Sequence, residues 1–482
     1  MLTPMMPRTV WLLILVGASG ACGDSSGPPP PPPPPPASPH HLSFTSQPGT
    51  GLVDSILSPA ITVEVRDSVD RRIAGANTAI TLAIGANPGT ATLRGTKTKN
   101  AINGTATFND LKLDHRERGY TLVASSGSVV PDTSTGFDVY APLVVDAVAS
   151  GSTHTCALKR GVATYCWGTN TVGELGDSTT TPHLRPGRVR TDQQFDTISA
   201  GYFLSCGISS AGAGYCWGDN LDGRLGDSTY AYRTSPTRVN GGLSFREIAN
   251  GFFHSCGLTT TGTAYCWGGN NVGQLGDSTQ GSGSLAVRSV VGGLTFSMLH
   301  TRNYHTCAIA TGGAAYCWGT NSYNVLGDST VDYGLAPEPV IGGLSFLSIA
   351  AGNIHTCAVA SSGAAYCWGD NRSAQLGDGT ATGQHATPRP VLGGHAFVAV
   401  DAQGPFTCGL TAPGEVWCWG RGYGTEPVKI AQAPAFVAIS AGYQHVCGVT
   451  ATGALYCWGD NSNGQLGDGT TTNRSTPTRI VY

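Results

Sequence analysis

The dipeptide Cys-Trp recurs seven times at a nearly constant interval in the last two thirds of this 482-residue chain. Successive steps are 50, 50, 51, 50, 51 and 39 residues, and the cysteines are Cys166, Cys216, Cys266, Cys317, Cys367, Cys418 and Cys457. A period of this length is typical of a propeller or a solenoid, in which each repeat is one supersecondary unit. We number the units 1 to 7, and any other motif has to be interpreted within this array.

Each unit carries signals for β structure and none for helices. In unit 2, β-type runs extend from Phe195 to Ala200, Leu204 to Ile208, Gly214 to Trp217 and Pro236 to Val239, with glycine-rich turns between them. No apolar pattern of helical period occurs in the unit. Seven units of four strands predict an all-β chain with a seven-bladed β-propeller.

Every unit also contains two cysteines ten residues apart. In six units a glycine stands six residues after the first cysteine, where a three-residue hairpin loop needs a left-handed residue. This register places the two cysteines opposite each other and predicts seven disulfides, each worth about 2 to 3 kcal/mol. Zinc is the alternative, although its ligand pairs are usually closer in sequence. The predicted pairs are Cys156 and Cys166, Cys206 and Cys216, Cys256 and Cys266, Cys307 and Cys317, Cys357 and Cys367, Cys408 and Cys418, and Cys447 and Cys457.

The repeat resembles that of the regulator-of-chromosome-condensation family. From Ala441 to Gly467 the chain contains A-G-Y-Q-H followed by Y-C-W-G-D-N-S-N-G-Q-L-G, close to the hallmark of that family. The resemblance covers residues 143–482 and implies a seven-bladed β-propeller. The added cysteine pairs are similar to those of the bacterial secreted branch.

Departures from the repeat indicate which positions the scaffold requires and which can vary. Asn324 and Ala374 replace a loop glycine, and Asn tolerates a left-handed backbone better than Ala does. Unit 6 has Gln403 for the A-G glycine and Phe406 for the histidine, and its G-Q-L-G-D loop is missing. We expect a shortened outer loop there.

The N-terminal region predicts an exported protein. Residues 1–22 have a basic start, a short apolar core and small residues before Cys22, which is typical of a bacterial lipoprotein signal with lipid on Cys22; ordinary secretion is the alternative. Residues 23–40 form a proline-rich linker, in which Pro28 to Pro36 predicts a polyproline II stalk. Export also provides the oxidising compartment that disulfides need.

Residues 41–141 predict an immunoglobulin-like β-sandwich that acts as a spacer. The motifs V-E-V-R-D, N-P-G-T-A-T-L and N-G-T-A-T-F-N-D-L resemble bacterial immunoglobulin-like domains of surface proteins. Seven short strands are expected. They are Leu42 to Ser46, Ile61 to Arg66, Ala79 to Ile84, Ala91 to Gly95, Gly104 to Phe108, Tyr120 to Ala124 and Gly136 to Tyr140.

The repeated polar residues are interpreted as structural. One histidine per unit suggests packing or hydrogen bonding rather than a metal or acid-base site, and the Leu-Gly-Asp aspartates suggest turn braces rather than calcium ligands. No hydrolase, phosphate-loop or zinc-protease motif occurs, so no catalytic residue, metal or cofactor is expected. The histidines are His154, His254, His305, His355 and His445, and the aspartates are Asp177, Asp227, Asp277, Asp328, Asp378 and Asp468.

The two positions before the histidine vary between units, as a binding surface does. Six large aromatic side chains fall there, and together on one propeller face they would resemble an interface hot spot or a sugar-stacking platform. Plugging of the channel or packing between blades is the alternative. These candidate binding residues are Tyr202, Phe203, Phe252, Phe253, Tyr304 and Tyr443.

The sequence therefore predicts an exported, lipid-anchored, monomeric, non-enzymatic protein that binds an extracellular protein or glycan. A formal charge of -3 gives no basis for nucleic-acid binding or for membrane contact beyond the lipid. The alternatives are an inhibitor of an extracellular enzyme, a guanine-nucleotide exchange factor as among nuclear relatives, and a hydrolase or lyase. The last requires repeat-breaking residues such as Arg302 and Asp401 to converge in the channel.

Overall fold

The computed structural model describes residues 38–330 and 333–482. The predicted signal, Cys22 and the proline run lie outside these residues. The regular secondary structure described is entirely β. Among the described residues, no helix is long and apolar enough to cross a membrane.

Twelve strands form the N-terminal domain. A seven-stranded sheet has the order β6-β4-β10-β11-β1-β3-β7, a three-stranded sheet has the order β2-β12-β9, and β5 pairs with β8. One apolar cluster, which includes Ile61, Phe108 and Tyr120, fills the domain. The strands are β1 His41–Ser46, β2 Gly51–Leu52, β3 Ile61–Arg66, β4 Ala79–Ile84, β5 Leu93–Arg94, β6 Thr98–Asn100, β7 Thr105–Phe108, β8 Lys112–Leu113, β9 Glu117–Tyr120, β10 Leu122–Ser126, β11 Val129–Thr133 and β12 Phe137–Tyr140.

The strand predictions for this domain were partly wrong. β3 and β4 have the predicted bounds, but the run from Ala91 to Gly95 contributes only the two-residue β5, and the run from Tyr120 to Ala124 is divided between β9 and β10. The short strands β2, β6 and β8 and the longer β11 are absent from the predicted set. The V-V-P-D-T sequence of β11 contains two residues that disfavour strands. Pairing with β10 and β1 overrides that local preference.

Seven four-stranded antiparallel sheets, called sheets 1 to 7, follow along the chain. Sheets 1 to 4 consist of Ala147–Ser150, His154–Lys159, Ala163–Gly168 and His183–Arg188; Phe195–Ala200, Leu204–Ser209, Gly214–Gly218 and Arg233–Arg238; Phe245–Asn250, His254–Thr259, Ala264–Asn270 and Gly281–Ser289; and Phe296–Arg302, His305–Ala310, Ala315–Gly319 and Gly334–Pro339. Sheets 5 to 7 consist of Phe346–Ala351, His355–Ala360, Ala365–Asp370 and Gln384–Pro390; Phe397–Ala402, Phe406–Thr411, Val416–Gly420 and Gly424–Lys429; and Phe436–Ala441, His445–Thr450, Leu455–Gly459 and Arg474–Arg479.

The first strands of the sheets contact one another in sequence, and those of sheets 7 and 1 are also in contact. Ser150 donates two hydrogen bonds of 3.0 Å to Ser440 at this closure, from its N–H to the Ser440 hydroxyl and from its hydroxyl to the Ser440 carbonyl. The segment before sheet 1 also pairs with sheet 7, through Val144 and Ala454. The sheets therefore form a ring, and we call the space that the seven first strands enclose the central channel.

The predicted disulfide hairpins are present in all seven sheets. In sheet 3, Cys256 lies opposite Cys266, and the Gly262 N–H donates to the Thr259 carbonyl across the expected three-residue loop. All seven bonds have Cα separations of 4.0 to 4.1 Å. Gly262 has φ +87°, so the left-handed position predicted from spacing is confirmed.

The two residues that stand in place of a loop glycine have the left-handed backbone conformation of the glycines in the other units. Asn324 has φ 59° and Ala374 has φ 63°. In sheet 6, three residues connect Gly420 to Gly424, which confirms the shortened loop. Tyr423 of this connection packs 5.6 Å from the ring of Phe406.

The Cys-Trp tryptophans lie in the core between sheets, as expected. All seven are at most 1% exposed. In six sheets the indole N–H donates to a loop carbonyl of the preceding sheet, as Trp167 does to Gln465 of sheet 7 at 2.9 Å. This bond crosses the ring closure.

Candidate functional site

The repeated histidines are hydrogen-bonded between sheets, in agreement with the structural interpretation. His154 Nε2 lies 2.9 Å from Ser205 Oγ of sheet 2, and that hydroxyl donates to the Glu174 carbonyl. The other four histidines contact a threonine of the next sheet in the same way, at 2.8 to 3.1 Å. Each histidine therefore joins two sheets, and the five rings do not gather into one site.

Burial keeps these histidines neutral. It lowers the pKa of His154, His254, His305 and His355 to about 3 and that of His445 to about 4. The A-G glycine makes room for the ring, since a Cβ on Gly352 would lie 2.4 Å from the His355 ring. Such neutral, enclosed imidazoles serve packing rather than proton transfer.

The repeated aspartates brace their turns, as the sequence indicates. Asp177 Oδ1 accepts the Thr179 N–H at 2.9 Å and an Asn170 amide N–H at 3.1 Å. The other five aspartates accept the equivalent threonine N–H at 2.9 to 3.1 Å. Their oxygens are thus committed to the loop, and no group of three or more potential metal-ligating side chains occurs within residues 38–330 and 333–482.

The six aromatic candidates lie together, and we call them the aromatic cluster. The Tyr202 ring centroid is 4.1 Å from that of Phe252 and 6.4 Å from that of Tyr443. Phe203 lies 4.6 Å from Tyr202, which extends the cluster. The residues come from the connections between the first and second strands of sheets 2, 3, 4 and 7.

Phe252, Phe253 and Tyr304 continue the cluster across sheets 3 and 4. The rings of Phe252 and Phe253 are 4.2 Å apart, and Phe253 lies 4.7 Å from Tyr304. All six side chains remain partly exposed. Ring closure has therefore brought residues as distant as Tyr202 and Tyr443 onto one surface.

Part of the aromatic cluster plugs the channel, which was the alternative to a binding surface. Tyr202, Phe252 and Tyr443 surround a cavity of only about 20 Å³ together with Arg302 and Gln403, which leaves room for about one water molecule. These side chains narrow the central channel at the aromatic end. Phe203, Phe253 and Tyr304 do not line this constriction.

Arg224 borders the cluster and is not among the predicted site residues. Its guanidinium lies 5.4 Å from the Phe253 ring centroid and 3.1 Å from Asp219 Oδ2, and it also contacts Asp222. The side chain is 2% exposed. The sequence did contain a signal for Arg224, because units 1, 3, 5 and 7 have Glu or Gln at this loop position and an arginine there departs from the repeat.

Four polar residues that break the repeat converge in the central channel. His300 and Arg302 come from the first strand of sheet 4, and Asp401 comes from the first strand of sheet 6. His300 Nε2 and Asp401 Oδ1 are 3.7 Å apart. Gln403 follows the sheet 6 strand, and its side-chain amide faces the carbonyls of Ser150, Gly151 and Ala441, which assigns the donating NH2 group to that side.

The sequence matches the models of a known family. The RCC1-like domain matches residues 121–426, and RCC1 repeats match residues 436–465 and 452–482. No curated protein matches the chain.

Solved structures share the propeller fold at low sequence identity. Human WBSCR16 is 22% identical with a TM-score of 0.62, covering 66% of this chain and 93% of that one. Yeast RCC1 (Prp20), in complex with Kap60, is 19% identical with a TM-score of 0.60, covering 70% and 87%. A second structure, of Prp20p from Saccharomyces cerevisiae, is 20% identical with a TM-score of 0.59, covering 70% of this chain and 90% of that one. This chain belongs to the RCC1-like domain family.

Proposed function

We propose that the protein is a non-enzymatic binding protein that recognises a protein partner through the propeller face carrying the aromatic cluster. The observation that carries the proposal is the contact of all six variable aromatic side chains across four sheets. A scaffold needs the same residue in each repeat, whereas these positions differ. Partly exposed aromatic groups at one site are the composition of interface hot spots.

A protein partner is favoured over a glycan by the way the rings pack. Tyr202 meets Phe203 at 85° and Tyr443 at 69°, so in each of these contacts the edge of one ring covers a face of the other. A sugar needs an open ring face for stacking, while a protein surface can use the exposed edges and the hydroxyl groups. One fold relative, yeast RCC1 (Prp20), is described with protein partners in two structures, namely Kap60 in one and Gsp1p and histones in the other.

The remaining architecture fits a binding module held away from a membrane. The seven sheets are the blades of a seven-bladed propeller, and residues 41–141 are an immunoglobulin-like sandwich that acts as a spacer. Residues 1–22 direct export, and lipid on Cys22 anchors the mature protein to the cell envelope. Seven buried disulfides support this assignment, since such bonds persist in oxidising compartments.

The test compares three proteins in affinity capture from cell-surface extracts and on a glycan panel. The first is the parent, the second carries all six cluster residues changed to Ser, and the third carries Tyr230→Ser and Tyr232→Ser. These two tyrosines are 59% and 54% exposed but lie outside the cluster, so they control for the general loss of exposed aromatic groups. Circular dichroism and thermal unfolding check that each variant is folded.

We expect a protein captured by the parent and by the control, and lost from the folded cluster variant. If the cluster variant captures as much of the protein as the parent does, the binding site does not lie on this face. Capture on the glycan panel alone would replace the protein partner with a sugar.

A further inference from the structure

The central channel contains a second candidate site, a cavity that shares Arg302 with the constriction formed by the aromatic cluster. Its cavity has a volume of about 240 Å³, and small residues such as Ser199 and Ser440 form part of its wall. Five ionisable side chains also line it, namely Arg246, Glu247, His300, Arg302 and Asp401. A cavity of this size accommodates only a small molecule.

The scaffold does not require the ionisable residues that sheets 4 and 6 contribute. His300 and Asp401 occupy a position at which the other five sheets have only small residues, and Arg302 occupies the A-G glycine position. The small residues are Ala149, Ser199, Ala249, Ala350 and Ser440, and the glycines are Gly151, Gly201, Gly251, Gly352 and Gly442. Five sheets therefore fold without these groups, which suggests a role other than ring formation.

Arg302 presents unused hydrogen-bonding capacity inside the ring. The residue is 8% exposed, and its Nη1 donates to the carbonyls of Ala200 at 3.0 Å and Asn250 at 3.4 Å. Its Nε has no hydrogen-bond partner in the described part of the chain. A guanidinium has five N–H donors in a planar fork that matches a carboxylate.

His300 provides a second donor. Its Nδ1 accepts the Ala351 N–H at 3.1 Å, so the proton of the neutral ring is on Nε2. Burial lowers the pKa of His300 to about 3, and the ring is therefore neutral near pH 7. The 3.7 Å from Nε2 to Asp401 Oδ1 exceeds a hydrogen bond, which leaves the N–H available to a ligand.

The acidic side chains provide acceptors in the same cavity. Asp401 accepts the N–H groups of Ala402 and Ala441 at 2.8 Å, which fixes its carboxylate in the channel wall. Glu247 Oε2 accepts the Leu299 N–H at 3.3 Å. A ligand with a carboxylate alone would leave these acceptors facing its negative charge, whereas a neighbouring hydroxyl or amino group would complement them.

We infer that the channel cavity binds a small carboxylic acid that carries a hydroxyl or amino group beside its carboxylate. Arg302 and the His300 Nε2–H hold the carboxylate, and Asp401 and Glu247 accept from the neighbouring group. The ligand enters from the end opposite the aromatic cluster, because at the other end Arg302, Gln403 and the aromatic side chains leave a cavity of only about 20 Å³.

The repeat supplies variants that are expected to fold. Arg302→Gly restores the glycine of five other sheets and removes the guanidinium. Gln403→Gly restores the same glycine in sheet 6 and leaves every charged lining residue in place, so it is the matched control. Ligand-observed NMR titrations of the whole chain, with thermal unfolding as the folding check, use acetate, lactate, alanine and inorganic phosphate as probes.

We expect lactate or alanine to bind more tightly than acetate, with affinity reduced at least tenfold in Arg302→Gly and changed less than threefold in Gln403→Gly. Equal affinity in the parent and Arg302→Gly would overturn the site. If acetate binds as tightly as lactate and alanine, Asp401 and Glu247 do not accept from a neighbouring ligand group. If only phosphate binds, or no probe binds, the ligand is not a small carboxylic acid.

Discussion

His445 of sheet 7 lies 2.8 Å from Thr155 Oγ1 of sheet 1, and this pair is the histidine–hydroxyl contact that closes the ring. The Thr155 hydroxyl donates to the Gln465 carbonyl at 2.8 Å, so it accepts from His445 Nε2–H. Sheets 6 and 7 replace the same pair with Phe406 and Val446, which share one buried cluster. The chain thus contains a polar and an apolar version of one contact.

We expect Thr155→Val to lower the free energy of unfolding by about 1 to 3 kcal/mol, because it leaves the buried His445 N–H unsatisfied. Urea unfolding measures this change. The double variant Thr155→Val with His445→Phe copies Phe406 and Val446 and should recover part of the loss. If the two substitutions simply add, the contact does not couple the sheets.

The neutral histidines predict loss of stability in acid. Their folded pKa values of about 3 to 4 lie below the ordinary value of 6.5, so they stabilise the fold above pH 6.5. This stability is lost as the pH falls toward 3 to 4, because the unfolded chain then binds more protons. The melting temperature should fall by roughly 15 to 20 °C between pH 7 and pH 4.5.

His254→Leu tests the origin of this acid sensitivity, since Leu204 occupies the same position in sheet 2. Proton uptake on unfolding between pH 6 and 4, obtained from the slope of stability against pH, should fall by about one. An unchanged slope would assign the sensitivity to other groups.

Each disulfide should contribute separately to stability. Replacing Cys256 and Cys266 by Ala removes one ten-residue closure and should cost about 2 to 3 kcal/mol in urea unfolding. The cysteines are fully buried, so alkylation of the native protein should remain slow even with a reductant. Rapid alkylation of any of the fourteen paired cysteines in the untreated native protein, located by mass spectrometry, would contradict seven formed bonds.

The N-terminal signal makes a prediction outside the described residues. Cys22→Ser should abolish lipid attachment and release the protein from the membrane fraction, which mass spectrometry and fractionation of the expressing bacterium measure. Alanine at Ser25 is the control, because it changes a neighbour without removing the thiol. Release of the parent as an unlipidated protein would favour ordinary secretion.

Much of the propeller could be predicted because its signals are local. Gly262, six residues after Cys256, determines the hairpin loop and therefore the cysteine register. The N-terminal domain was harder, since β11 has poor strand propensity and forms through pairing with distant strands. The sequence also placed Phe195–Ala200 correctly but began the fourth strand of sheet 2 at Pro236 rather than Arg233, because the polar residues there give no alternating pattern.

The sequence by itself determined the repeat, the strand-turn order, the cysteine pairing and the variable positions, since each depends on residues within one unit. Only the tertiary structure decided which of those positions meet. Arg302 contacts the carbonyl of Ala200, 102 positions earlier, and Tyr202 reaches Tyr443 across the closure. These residues become neighbours because a closed ring turns equivalent positions of separate units toward one axis. A sequence pattern within one unit carries no information about such distances.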